Sequence, residues 1–167
     1  MNSAMTPAMT HATTLADLTR RTGLDVLDHL EREVTIPVID GLQAQGDLIV
    51  VPLAMLPQVT IRAAAEWRWV PEAGVEIVRG VAGGNPHTLV ADPRTCQWTT
   101  QLTDGDRLAV GALRATAPAY LIHPEHGGSG IAPGTYVIRR QRERRGPGAD
   151  TVRGVGFAPA RDVFVAD

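Results

Sequence analysis

The chain has 167 residues, about one domain's worth and enough to bury a core without help from a disulfide or a metal. Hydrophobic residues make up 44% and charged residues 20%, which excludes wholesale disorder. Sixteen basic residues, all arginine, against 18 acidic ones leave a net charge of −2, which excludes a polyanion binder acting by bulk field.

In chain order, residues 1–14 are small, polar and Met-spotted and read as a frayed leader. They lack the basic and apolar regions of a secretion signal. No apolar run approaches ~18 residues, so no membrane span is expected, and a cytoplasmic protein is the default expectation. Residues 15–36 read as a helical pair. Thr14 caps the first helix, with Asp17 at the third position. Gly23 interrupts. Thr22 then caps a second helix with Asp25, along which Leu24, Leu27, Leu30 and Val34 form one apolar stripe. Pro37 ends it.

From Gly46 to the C-terminus (46–167) the pattern turns to short β-type runs. Asp47–Leu53, Glu66–Val70, Val75–Arg79, His87–Ala91, Cys96–Thr99, Arg107–Leu113 and Ala119–His123 all read as strands. Thr135–Arg145 and Thr151–Val155 read as a hairpin around Gly146-Pro147-Gly148. Glycine and proline turn signals sit between the runs. The expected fold is mainly β, a small barrel or sandwich with a short N-terminal helical pair.

Five histidines are present. His11 in the leader and His29 among polar neighbours read as solvent residues. His123-Pro124-Glu125-His126 closes a strand and enters a glycine loop, and His87 follows Gly83-Gly84-Asn85-Pro86. Imidazoles and a carboxylate brought from two distant segments are suited to a divalent metal such as Zn, Fe or Mn. His87, His123 and His126 are the candidate ligands. Glu125 is the candidate catalytic residue, as an extra ligand or general base, and Asn85 is peripheral. Pro124 and the following glycines argue against a helical HExxH site. The other reading is structural: the same histidines cap turns and bond backbone carbonyls.

The strings His123-Pro124-Glu125-His126, Ile131-Ala132-Pro133-Gly134-Thr135-Tyr136 and Arg139-Arg140-Gln141-Arg142-Glu143 resemble a group of small uncharacterised bacterial and phage-associated proteins. Gly46-Asp47 through Pro52 is similar to that group's first strand, and Gly80 to His87 to its second motif. Asn85 stands where the pattern has its first His, and Val81 where it has an acid. The resemblance covers roughly residues 46–145 and implies the β fold and the histidine site rather than an activity. The arrangement also resembles a cupin in outline, without matching the cupin motif spacings.

Arg139–Arg145 is the one strong charge cluster. As a strand, it puts Arg140, Arg142 and Arg144 on one face with Tyr136 and Ile138. These three are the candidate anion or nucleic-acid contacts, with Trp67, Trp69 and Tyr136 as stacking surfaces. The alternatives are a charged hairpin protecting a sheet edge and an internal pair with Glu143. The helical pair suits DNA poorly, because its second helix carries Asp25, Asp28, Glu31 and Glu33. It fits better as a pack against the β domain or as a homo-oligomer contact. Cys96 reads as a buried small hydrophobe. Asp104-Gly105-Asp106 reads as a turn, not a calcium loop.

The leading expectation is a small-molecule or metal-binding β domain whose reaction, if any, is metal-assisted hydrolysis or a lyase-type proton transfer. A non-catalytic assembly protein, phage- or defence-associated, is the second. A nucleic-acid module using the arginine strand is the third.

Overall fold

The computed structural model describes residues 13–78, 85–144 and 162–164. Most of the expected leader and the arm Thr151–Val155 lie outside the described residues. One α-helix is present among them, α1 (Leu15–Thr22). Its start is the expected capping box: the Thr14 hydroxyl accepts the Asp17 N–H, and the Asp17 carboxylate accepts the Thr14 N–H at 3.0 Å. Gly23 ends it in the left-handed conformation, φ 71°, which costs glycine little. Leu15 and Leu18 are buried against the sheet below. No helix of the described residues is long and apolar enough to cross a membrane.

The second helix of the expected pair is not formed. Residues 23–36 run as turns and irregular chain. Their backbone bonds go sideways rather than along a helix: Leu27 N–H to Pro124 O, Ile36 N–H to Thr13 O, and Ala16 N–H to Arg32 O. Only part of the leucine stripe finds cover. Leu24 and Leu30 pack, partly buried, against the cluster under α1, whereas Leu27 and Val34 remain exposed. An amphipathic pattern becomes a helix when its stripe has a surface to bury against, and here the loop geometry wins.

The rest is β structure. The strands are β1 (Val38–Ile39), β2 (Gln43–Gln45), β3 (Leu48–Pro52), β4 (Val59–Ile61), β5 (Arg68–Trp69), β6 (Val75–Val78), β7 (His87–Ala91), β8 (Cys96–Thr99), β9 (Leu102–Asp104), β10 (Ala109–Ala115), β11 (Ala119–His123), β12 (Gly127–Ile131), β13 (Gly134–Arg140), β14 (Arg142–Arg144) and β15 (Asp162–Phe164). Five of them form one sheet in the order β1-β12-β11-β7-β6, and six form another in the order β2-β3-β13-β10-β8-β5. The sheets therefore begin before Gly46. Pairing is antiparallel except between β1 and β12.

The two sheets share one interior. Leu48, Val50, Trp98, Leu113, Tyr136 and Ile138 enter it from the six-stranded sheet; Leu89, Ala91, Leu121 and Ile131 enter it from the five-stranded one. Alternate residues point the other way, as strand period requires. Val90, Tyr120 and Ile122 form the floor under α1. Val51, Ala112 and Val137 pack under Leu56 and Val59, where the β4–β9 ribbon crosses the outer face. The architecture is a β sandwich, with no closed barrel among the described residues.

The expected glycine loop after His126 is strand β12. Gly128 and Gly130 lie under the 36–38 segment. A Cβ on Gly128 would fall 2.6 Å from Ile36 Cδ1, and one on Gly130 would fall 2.6 Å from Pro37 O. Glycine weakens a strand by propensity. Here it lets β1 and the chain before it lie directly on the sheet.

Candidate functional site

The site is built on the turn between β11 and β12. His123 closes β11, Gly127 opens β12 opposite it, and Pro124, Glu125 and His126 make the turn. Gly127 takes φ 74° there. On the other side of β11 runs β7, with Thr88 opposite Ile122, so His87 at the start of β7 reaches the same end of the sheet. The three imidazoles form a stack. The ring centroids of His87 and His123 are 4.3 Å apart, and those of His123 and His126 are 4.5 Å apart. His87 and His123 are buried, at 2% and 1% exposure; His126 and Glu125 face solvent.

The two buried rings are held by specific bonds. His87 Nε2 lies 3.2 Å from the Gln45 carbonyl. A carbonyl only accepts, so Nε2 carries the proton. The buried Asp47 carboxylate stands 3.8 Å from His87 Nδ1. His123 Nε2 donates to the Asn85 carbonyl at 3.1 Å, and its Nδ1 accepts the Glu125 N–H at 3.2 Å. The Asn85 side chain in turn donates to Glu125 Oε1 at 3.0 Å. Asn85 is thus not peripheral: its backbone fixes His123 and its amide fixes Glu125.

The sequence gives no sign of the brace behind the rings. Gln43 and Gln45 of β2 are buried, and they cross between the sheets. Gln43 Nε2 donates to Gly130 O at 3.0 Å, and Gln45 Nε2 donates to Leu121 O and Gly127 O at 3.2 and 3.1 Å. The side-chain amides tie β2 of one sheet to the turn strands of the other, and the Gln45 backbone holds His87.

One group gathers metal-type donors: ligand atoms of His123, Glu125 and His126 all lie within 4.8 Å of one another. In donor chemistry this group is able to hold a metal ion. His87 stands behind it, with its nitrogens directed at Gln45 and Asp47.

The arginine cluster is divided. Arg139 is mostly buried and turns to Asp104 and Asp106, at 3.2 and 2.7 Å. Burial alone would raise the Asp104 pKa. The backbone N–H groups of Asp106, Ala109 and Leu108, together with the Arg139 charge, outweigh it and hold the carboxyl below its ordinary value. Arg140 is half-buried at the end of β13, where its N–H bonds Leu108 O. Tyr136 and Ile138 do share the inward face. The backbone of Arg142–Arg144 pairs with Asp162–Phe164; the side chains of Arg142 and Arg144 lie outside the described ones.

Of the remaining candidates, Cys96 is buried and its thiol is pushed up to about 12 by burial, so it is inert near neutral pH. His29 is exposed. Trp67 packs on the outer face of the six-stranded sheet, with the Arg114 guanidinium 4.3 Å over its ring. Trp69 is 54% exposed.

No curated protein and no solved structure matches the chain. A family model described as "Domain of unknown function (DUF8820)" matches residues 44–141. That span runs from β2 to the end of β13 and includes His87, Asn85, His123, Glu125 and His126. It covers more than half of the 167 residues, and the chain belongs to this uncharacterised family.

Proposed function

We propose that this domain binds a divalent metal ion, with zinc, iron or manganese as the candidates, at the turn His123-Pro124-Glu125-His126. The observation that carries the reading is the convergence of His123, Glu125 and His126 donors within 4.8 Å on a turn whose base is fixed by buried bonds. Donors around a tetrahedral zinc stand about 3.4 Å apart, given bond lengths near 2.0–2.1 Å. Glu125 and His126 are exposed, so rotation of their side chains closes the difference without moving the sheet. His87 acts behind them, packing on His123, with its Nδ1 3.8 Å from the Asp47 carboxylate. Glu125 is the group suited to a general base in metal-assisted hydrolysis or proton transfer. Imidazoles at one end of a β sandwich also fit the cupin-like outline.

A second reading has its own support. His123 already uses both nitrogens, one on Asn85 O and one on the Glu125 N–H. A metal would compete with that amide for the one lone pair of Nδ1. If the amide wins, the stack is a structural staple and the domain has no metal chemistry.

Calorimetric titration of the full chain with Zn²⁺ and Mn²⁺ separates the two readings. Metal binding predicts a saturable 1:1 heat that is lost in His126→Ala and weakened in Glu125→Gln. No heat with either ion, or heat unchanged in His126→Ala, leaves the staple.

A further inference from the structure

The five-stranded sheet ends at β1, and among the described residues no strand pairs with its other side. An open edge presents backbone N–H and C=O groups to any further strand. The bonds already made fix which ones. Pro37 O and Ile39 O accept the N–H groups of Gly130 and Ala132, so residues 37 and 39 are turned towards β12. Backbone polar groups alternate in direction along a strand, so Ile36, Val38 and Asp40 are turned outwards. The Ile36 N–H agrees, since it bonds Thr13 O at 2.8 Å. The edge is also apolar. Among the described residues seven large hydrophobics are exposed, and five of them, Leu27, Val34, Val38, Ile39 and Leu42, lie within 27–42.

We propose that residues 8–12 of this chain dock on that edge as a strand antiparallel to β1. One bridge sets the register. Thr14 and Thr35 face each other in an antiparallel bridge. The bond from Ile36 to Thr13 makes Thr14–Thr35 a non-bonded pair and Thr13–Ile36 a bonded one. Stepping back from Thr13 and forward from Ile36, the register sets Ala12 against Pro37, His11 against Val38, Thr10 against Ile39 and Met9 against Asp40. Every second pair is bonded, which here means His11–Val38 and Met9–Asp40. Val38 and Asp40 are the residues that β12 leaves facing outwards, so donors and acceptors meet without a slip.

The residue types fit. Pro7 falls against Leu42, in a bonded pair for which it has no N–H, so the ladder stops at residue 8. Met9 and His11 share a face with Val38, and Thr10 shares the other with Ile39, so both exposed side chains of β1 gain cover. Residues 1–12 carry no Arg, Lys, Asp or Glu, so the exposed Glu33 and Asp40 do not repel them. A second copy on the same edge would bring two such acidic flanks together. The edge is independent of the metal reading: β1 pairs with Gly130 and Ile131, whereas the histidine turn meets β12 at Gly127.

Amide hydrogen exchange followed by NMR on the full chain tests the proposal, with a Met9→Pro/His11→Pro variant beside it. On an open edge the Val38 and Asp40 amides exchange freely. Docking predicts exchange at least about tenfold slower in the parent chain than in the variant, while Val137, inside the other sheet, is equally protected in both. It also predicts contact between the α-protons of Thr10 and Ile39, which a non-bonded antiparallel pair brings close. The proposal is overturned if Val38 and Asp40 exchange freely in the parent, or if their protection survives in the variant. It is overturned equally if the Thr10–Ile39 contact is missing, or if protection grows with protein concentration, which would put a second copy on the edge.

Discussion

Two turns of this sandwich gather polar side chains, and they do so in opposite ways. The turn after β9 is closed. The Asp104 side chain is buried, takes N–H bonds from Asp106, Leu108 and Ala109, and meets Arg139. Everything that carboxylate touches belongs to the fold. The turn after β11 is buried on one side and open on the other. His87 and His123 are sealed and bonded, while Glu125 and His126 stand in solvent within donor reach of His123. Buried groups with satisfied bonds contribute stability, whereas convergent polar groups at a surface are available to bind. The first turn thus serves the fold, whereas the outer half of the second carries the groups on which the proposed metal site rests.

The largest effect that would break the comparison is at Asp104. Asp104→Ala leaves Arg139 mostly buried beside Asp106 alone and frees three backbone N–H groups. We expect a loss of about 3 kcal/mol in urea unfolding, with zinc affinity unchanged in the folded fraction. The same residue gives a pH signature. Its folded pKa lies below the ordinary 3.8, so its contribution is complete above that value and is lost as pH falls through the lower folded pKa. Wild-type stability should therefore drop below about pH 4, and Asp104→Asn should flatten that slope. An unchanged slope would contradict the assignment.

The next effect sharpens the contrast within one turn. His123→Ala removes a buried ring and strands the Asn85 carbonyl and the Glu125 amide, so about 2 kcal/mol of stability should be lost. His126→Ala, at the surface, should stay within about 0.5 kcal/mol of the parent. Equal losses in urea midpoint for the two variants would erase the division between a structural and a binding half.

Much of the sandwich was legible in the sequence. His87–Ala91, Cys96–Thr99 and Ala119–His123 were readable as strands to their end residues, because β-rich apolar runs stand between clear turn signals. The meeting of His87 with His123 and His126 was also legible, since His87 and His123 end strands and His126 lies in the turn that follows His123. The failures share a physical cause. β12 is rich in glycine, and only its contact with Ile36, Pro37 and Val38 explains why those glycines form a strand. The leucine stripe of 24–34 has helical spacing, but nothing in the sequence reveals that Pro124 captures the Leu27 amide. Gln43 and Gln45 look like surface residues, and their burial follows from carbonyls on the opposite sheet. Asn85 reads as the loss of a ligand, and its role through a backbone oxygen carries no side-chain signal.

Anomalous diffraction from crystals of the full chain grown with zinc tests the central claim most directly. An ion at the β11–β12 turn, about 2.0–2.2 Å from donor atoms of His123, Glu125 and His126, is the predicted result. Zinc bound only elsewhere, with the Glu125 N–H still on His123 Nδ1, would contradict it and leave the imidazole stack as part of the fold alone.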